Sequence, residues 1–176
     1  MALTKRLIGL ASVGMLAIGI LFLGSVPQVN ADTLKLKAFN QPTKQEAIPI
    51  ADVEGHVSSL QVREGVAVFE NGDWAWQKIV QITDGIKGNS SLESYSTYTF
   101  LDGATITIRS RGTVEANPQG VLTAAKINSD ITGGTGRFQG IKGTMTQTVR
   151  LLPPEKGELG QKAASEAILT YTLPGK

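Results

Sequence analysis

From Asp32 onward the apolar residues recur at every second position, and this period of two constrains the fold more than any other feature of the chain. Thr33-Leu34-Lys35-Leu36-Lys37-Ala38 alternates polar and apolar residues, which gives an extended strand one face for a core and one for water. Its lysines suit a sheet edge, where charge discourages pairing with other chains. Further strands are expected over residues 65–70, 74–83, 95–100, 104–114, 121–127, 144–152 and 167–173, with short ones at 48–51 and 58–62. The stretch 104–114 is rich in the β-branched Thr and Ile that pack well on a pleated surface. Asn71-Gly72 and Asp102-Gly103 read as two-residue hairpins, since both residues tolerate the positive φ of a type I′ turn. Asn117-Pro118-Gln119-Gly120 is a third turn, and 40–45, 84–91 and 153–160 read as loops. A helical turn fits only 160–167.

Seven or eight short strands joined at hairpin spacing make an all-β meander. An open sheet of that kind exposes two long edges, and closure into an antiparallel up-and-down barrel removes them. A β-sandwich is the alternative, and sequential hairpins favour the barrel over Greek-key crossings.

The first 31 residues have a different character. Lys5 and Arg6 precede an apolar run of 17 residues, Leu7 to Leu23, and a polar tail ends in Val29-Asn30-Ala31. This is the layout of a cleaved secretory signal peptide. The competing reading is a retained anchor, but the run is short of the roughly 20 residues that cross a bilayer core. Gly9, Gly14, Gly19 and Gly24 also weaken it as a permanent helix. The expected layout is therefore a signal over 1–31, an N-terminal extension with the first strands over 32–64, and the barrel body over 65–176. The last two form a single domain, 32–176, secreted or periplasmic, with no stable membrane insertion after cleavage.

Cleavage removes two of 17 basic residues and none of 15 acidic ones, so the mature chain is neutral. A nucleic-acid partner, which requires clustered excess Lys and Arg, is not expected. The chain has no cysteine, which excludes thiol catalysis and cysteine-bound metal, and a mature domain of this size buries enough core without disulfides. No metal is expected: His56 is the only histidine, and no acidic loop has calcium spacing.

The run Gly133-Gly134-Thr135-Gly136-Arg137-Phe138-Gln139-Gly140-Ile141-Lys142-Gly143 invites a nucleotide-binding reading, which fails. A dinucleotide fingerprint beginning at Gly134 would need glycine where Gln139 stands, and Lys142 lacks the Ser or Thr that follows a P-loop lysine. Thr144-Met145-Thr146-Gln147-Thr148-Val149 reads as a strand, whereas both motifs open a helix. Gly133, Gly134, Gly136, Gly140 and Gly143 are instead expected to serve a sharp structural turn.

The same segment, from Ile131-Thr132 through Phe138, Gly140 and Gly143, resembles the Gly-Gly-Thr-Gly-(Lys/Arg)-Phe segment of the allene oxide cyclase and dirigent barrel superfamily. Phe69-Glu70-Asn71-Gly72, Tyr98-Thr99-Phe100 with Asp102-Gly103, and the closing Tyr171-Thr172-Leu173-Pro174 extend the likeness in order over residues 66–174. The resemblance, to small bacterial exported members, implies an eight-stranded, calycin-like barrel that uses no cofactor and forms a homo-oligomer, a trimer or dimer. It also implies either of two activities, cyclisation of a fatty-acid epoxide or orientation of phenolic radical coupling. The matching residues belong to turns and strands, so no catalytic residue is carried over.

Six residues are candidates for binding a ligand. Trp74 and Trp76 share one face of a strand and would line a pocket if that face points inward, or fill core or an inter-subunit surface if not. Tyr95 and Tyr98, three apart, face opposite sides, so at most one lines a cavity. Arg109 and Arg111 share the polar face of their strand, which is solvated unless it forms a polar floor that binds a carboxylate or phenolate. Asp84 and Glu115 stand near strand ends, and His56 has no nucleophile motif beside it. These observations favour a small, largely apolar ligand, fatty-acid-like or phenolic, held in the barrel interior. An isomerase or cyclase is the first alternative and a filled barrel with a structural or interaction role is the second.

Overall fold

The computed structural model describes residues 31–175. The expected signal peptide lies, except for Ala31, outside the described residues. Eight strands follow one another in chain order around a closed antiparallel barrel. They are β1 (Asp32–Pro49), β2 (His56–Phe69), β3 (Trp74–Ile86), β4 (Asn89–Phe100), β5 (Thr105–Ala116), β6 (Leu122–Thr135), β7 (Lys142–Leu152) and β8 (Lys162–Thr172). β8 closes on β1, with Asp32 opposite Tyr171 and Asn40 opposite Ala163, so no edge remains unpaired. The barrel is thus the solution adopted, not the sandwich. Residues 32–64 supply all of β1 and most of β2, and so form part of the barrel wall.

Several boundaries differ from the sequence reading, each for a local reason. Residues 40–45 are strand rather than loop: β1 continues through Pro42 by means of a bulge, with Pro42 opposite Arg63 and Lys44 opposite Val62. A bulge leaves a ladder bond unmade, which is where a residue without N–H fits. Residues 84–91 are not a loop either. β3 and β4 run on to a two-residue turn, Lys87-Gly88, in which φ is positive at both positions (50° and 88°).

Conversely, the Asn71-Gly72 and Asp102-Gly103 hairpins have three-residue loops, not two. Phe69 N–H bonds Asp73 O at 2.9 Å and Phe100 N–H bonds Ala104 O at 2.9 Å. The 117–121 turn repeats this pattern, and in each loop the third residue is a glycine with φ between 77° and 87°. That is the type I turn closed by a left-handed residue, common in three-residue hairpins. The one helical turn among the described residues is a 3-10 turn over Gly136–Phe138, whereas 160–167 leads into β8.

Large apolar side chains pack the barrel half that holds the start of β1 and the end of β8. Leu36, Phe69, Tyr98, Phe100, Ile106, Met145 and Leu169 fill it, and Phe138 drops in from the 3-10 turn as a plug. Phe100 stacks between Phe69 (centroids 5.1 Å apart) and Phe138 (4.7 Å). Outside the plug, the Arg137 guanidinium lies 4.9 Å from the ring centroids of both Phe100 and Phe138. It also bonds Asp73 at 2.9 Å and Asp102 at 3.2 Å, tying the β2–β3 and β4–β5 hairpins to the β6–β7 connection. The glycine-rich run makes this crossing possible. Gly136 holds φ at +60° beside Ala104, and a Cβ on Gly143 would collide with the Thr170 carbonyl oxygen.

Candidate ligand cavity

The other half of the barrel is hollow, because the inward positions there carry small or slender residues. Ser94 and Ser96 on β4, Ser110 on β5, Ala125 on β6 and Ala163 on β8 occupy levels that Phe and Ile occupy in the closed half. They leave a cavity of about 380 Å³ that opens among the β1–β2, β3–β4, β5–β6 and β7–β8 connections. This volume lies in the range of small-molecule sites. Its apolar wall is aliphatic: Ile79, Leu92, Val114, Ile127, Val149 and Leu151. Apart from one cation its polar groups are hydroxyls and amides, several bonded to each other or to a buried neighbour, as in Ser59–Thr83 (2.7 Å), Ser110–Ser129 (2.8 Å) and Gln147–Ser165 (2.7 Å). Such pairing satisfies groups withdrawn from water.

Among the described residues one charged side chain lines the cavity, that of Arg63, and it ends a buried chain of hydrogen bonds. Arg63 Nε donates to Asn40 Oδ1 at 2.8 Å, Asn40 Nδ2 to Gln77 Oε1 at 3.1 Å, and Gln77 Nε2 to the Tyr98 hydroxyl at 2.8 Å. Arg63 also donates from Nη1 to Gln61 at 3.0 Å and from Nη2 to the Gln161 carbonyl at 2.7 Å. Burial pushes the Arg63 guanidinium down to about 10, which leaves it cationic at neutral pH. Burial likewise pushes the Tyr98 phenol up to about 12, against the smaller opposing effect of the Gln77 hydrogen bond.

At the mouth, but outside the lining, His56 bridges two carboxylates. Nδ1 lies 2.6 Å from Asp52 and Nε2 lies 2.6 Å from Asp84. The hydrogen bonds to Asp84 and then Asp52 raise the imidazole above its ordinary value, and His56 in turn lowers Asp52. The cluster fastens the β1–β2 connection to the end of β3. Among the described residues no three His, Asp or Glu side chains gather to hold a metal ion.

The candidates taken from the sequence fall mostly on the outer face. Trp74 and Trp76 are each 53% exposed and Tyr95 is 58% exposed. Arg109 and Arg111 also point outward, both bonded to Glu93, at 3.4 and 2.8 Å. None of these five reaches the cavity. Tyr98 does point inward, but it is fully buried beneath the cavity, with its hydroxyl on Gln77. Asp84 is taken by His56 and Glu115 by Lys126 at 3.1 Å.

Arg63 is the residue that sequence reasoning missed. Its signal was parity. Phe69 and Ala67 are inward on β2, and counting back by twos reaches Gly65 and Arg63.

The chain is similar to dirigent proteins. The pterocarpan synthase dirigent protein GePTS1 matches 91% of this chain over 97% of its own, at 13% identity and a TM-score of 0.48. The pterocarpan synthase dirigent protein PsPTS1 matches 83% of this chain over 97% of its own, at 14% identity and the same TM-score of 0.48. At these values the likeness tells nothing of activity. No family model and no curated protein matches the chain.

Proposed function

We propose that the protein is exported, to the periplasm or beyond the cell, and binds a small, largely apolar molecule inside its barrel. The observation that carries this reading is the makeup of the cavity lining: aliphatic side chains, hydroxyls, amides and one cation. Among the described residues no aromatic ring lines it, which favours a fatty-acid-like body over a phenolic one that would stack on rings. No carboxylate, imidazole or phenol of the described residues lines it either, which favours binding over acid–base isomerisation or cyclisation. The test is mass spectrometry of the native protein under non-denaturing conditions. The expected result is a small organic molecule at one copy per chain, released on unfolding. A barrel that is empty as isolated, and stays empty after incubation with medium-chain aliphatic compounds, would refute the reading.

A second reading, self-association, is supported by the outer surface. Leu60, Trp74, Trp76, Val80, Ile82 and Tyr95, on neighbouring strands β2 to β4, are each 40–58% exposed. An apolar face of this kind on a soluble protein marks a contact surface. The proposed partner is a second copy of this chain.

A further inference from the structure

We propose that Arg63 anchors the anionic head of the cavity's ligand, a carboxylate carried at the end of an aliphatic body. This inference rests on the cavity reading above and gives it a chemical class. Arg63 is only 5% exposed, yet among the described residues no carboxylate stands within 4.0 Å of its guanidinium. Its three protein partners, Asn40, Gln61 and the Gln161 carbonyl, are all neutral. A buried charge is normally paired, because hydrogen bonds to neutral dipoles replace only part of the hydration it loses. By contrast Arg109, Arg111 and Arg137, all on the outside, each hold an acidic partner. Arg150 also lacks an acidic partner but is exposed to water, so among the described arginines Arg63 alone is both buried and without one.

Three further features suit a carboxylate. A guanidinium carries five N–H groups, and the three bonds to protein leave one on each terminal nitrogen, the number that a carboxylate accepts in a bidentate pair. The fork is held in place from behind, since Asn40 is fixed by Gln77 and Gln77 by Tyr98. Finally, among the described residues no other ionisable side chain lines the cavity, so nothing in the lining opposes the field of Arg63, and the aliphatic Leu92, Val114, Ile127 and Leu151 share that lining. A ligand with a charged head and an aliphatic tail meets a complement to each in this lining.

The probes are a matched pair, decanoate and decan-1-ol, titrated calorimetrically into the wild-type protein, Arg63→Gln and Arg63→Lys. The wild type is expected to bind decanoate at least about tenfold more tightly than the alcohol, the effect of a charge-assisted hydrogen bond. Arg63→Gln should bring the two within about twofold while the alcohol's affinity holds, and Arg63→Lys, which keeps charge without the fork, should fall between. In the wild type alone the preference should vanish as pH falls and the probe's own carboxylate is protonated, and this arm decides the matter if Arg63→Gln does not fold. Equal binding of both probes by the wild type, or a preference that survives Arg63→Gln or protonation of the probe, would overturn the inference while leaving the cavity reading intact. Binding of neither probe would overturn the cavity reading itself, and the anchor with it.

Discussion

Tyr98 shows how one buried residue can serve stability on behalf of a site it does not touch. Its hydroxyl is the acceptor for Gln77, whose side chain is 1% exposed. Replacing Tyr98 with Phe strands that donor, and a cost of about 1–3 kcal/mol is expected in urea unfolding at neutral pH. The pH dependence is specific. The unfolded phenol titrates near 10 and the folded one near 12, so between those values the folded state keeps a proton that the unfolded chain has lost. Stability from this group therefore falls as pH rises above 10, by about 1.4 kcal/mol per unit. Arg63 acts in the opposite sense over the same range, because its folded value, about 10, lies below its ordinary 12.5. The comparison that isolates Tyr98 is the gap between wild type and Tyr98→Phe, which should close as pH is raised from 10 to 12. A constant gap would mean that the phenol is not held above its ordinary value.

Among the elements, the glycine-rich β6–β7 connection organises the closed end, and Arg137 is its fastener. Arg137→Ala removes two ion pairs and two ring contacts from a partly exposed side chain, for an expected loss of about 1–2 kcal/mol. Arg137→Lys should recover less than half, since an ammonium cannot stack flat and fork at once. Full recovery by lysine, read from thermal melts, would show that charge alone matters there. The role of this segment as a turn was legible in the sequence, because its glycine spacing fits neither phosphate motif. The strands were legible too, from alternation alone.

What was not legible is which side of each strand faces in. On β3 the outward set includes Trp74, Trp76, Val80 and Ile82, while the inward set includes Gln77 and Gln81. Glutamines inside and an apolar patch outside invert the usual pattern on this strand, so hydrophobicity pointed to the wrong face. Arg63 was hidden by the same inversion, since an isolated arginine in a strand ordinarily reads as solvated. The bulge at Pro42 was illegible for a different reason, as a proline surrounded by polar residues has the composition of a loop.

At the scale of the whole molecule, the outer apolar face sets the prediction. If the patch on β2–β4 joins copies of the chain, sedimentation equilibrium should give a dimer or trimer, and Trp74→Lys with Trp76→Lys should shift it to monomer without unfolding the barrel. Both tryptophans lie outside the core, so the double variant is expected to lose little stability. A wild-type protein that is monomeric at tens of micromolar would refute self-association.

The barrel is solid at one end and hollow at the other, and this division bears on how such a protein changes over time. Side chains that hold the fold and side chains that shape the cavity are largely different residues at different levels of the same strands. A change at Ser96, Ser110 or Ala125 alters the space available to a guest while the Phe69–Phe100–Phe138 stack goes on securing the wall. On the proposed binding function, descendants of this chain could exchange one cargo for another by single steps, each passing through a folded intermediate.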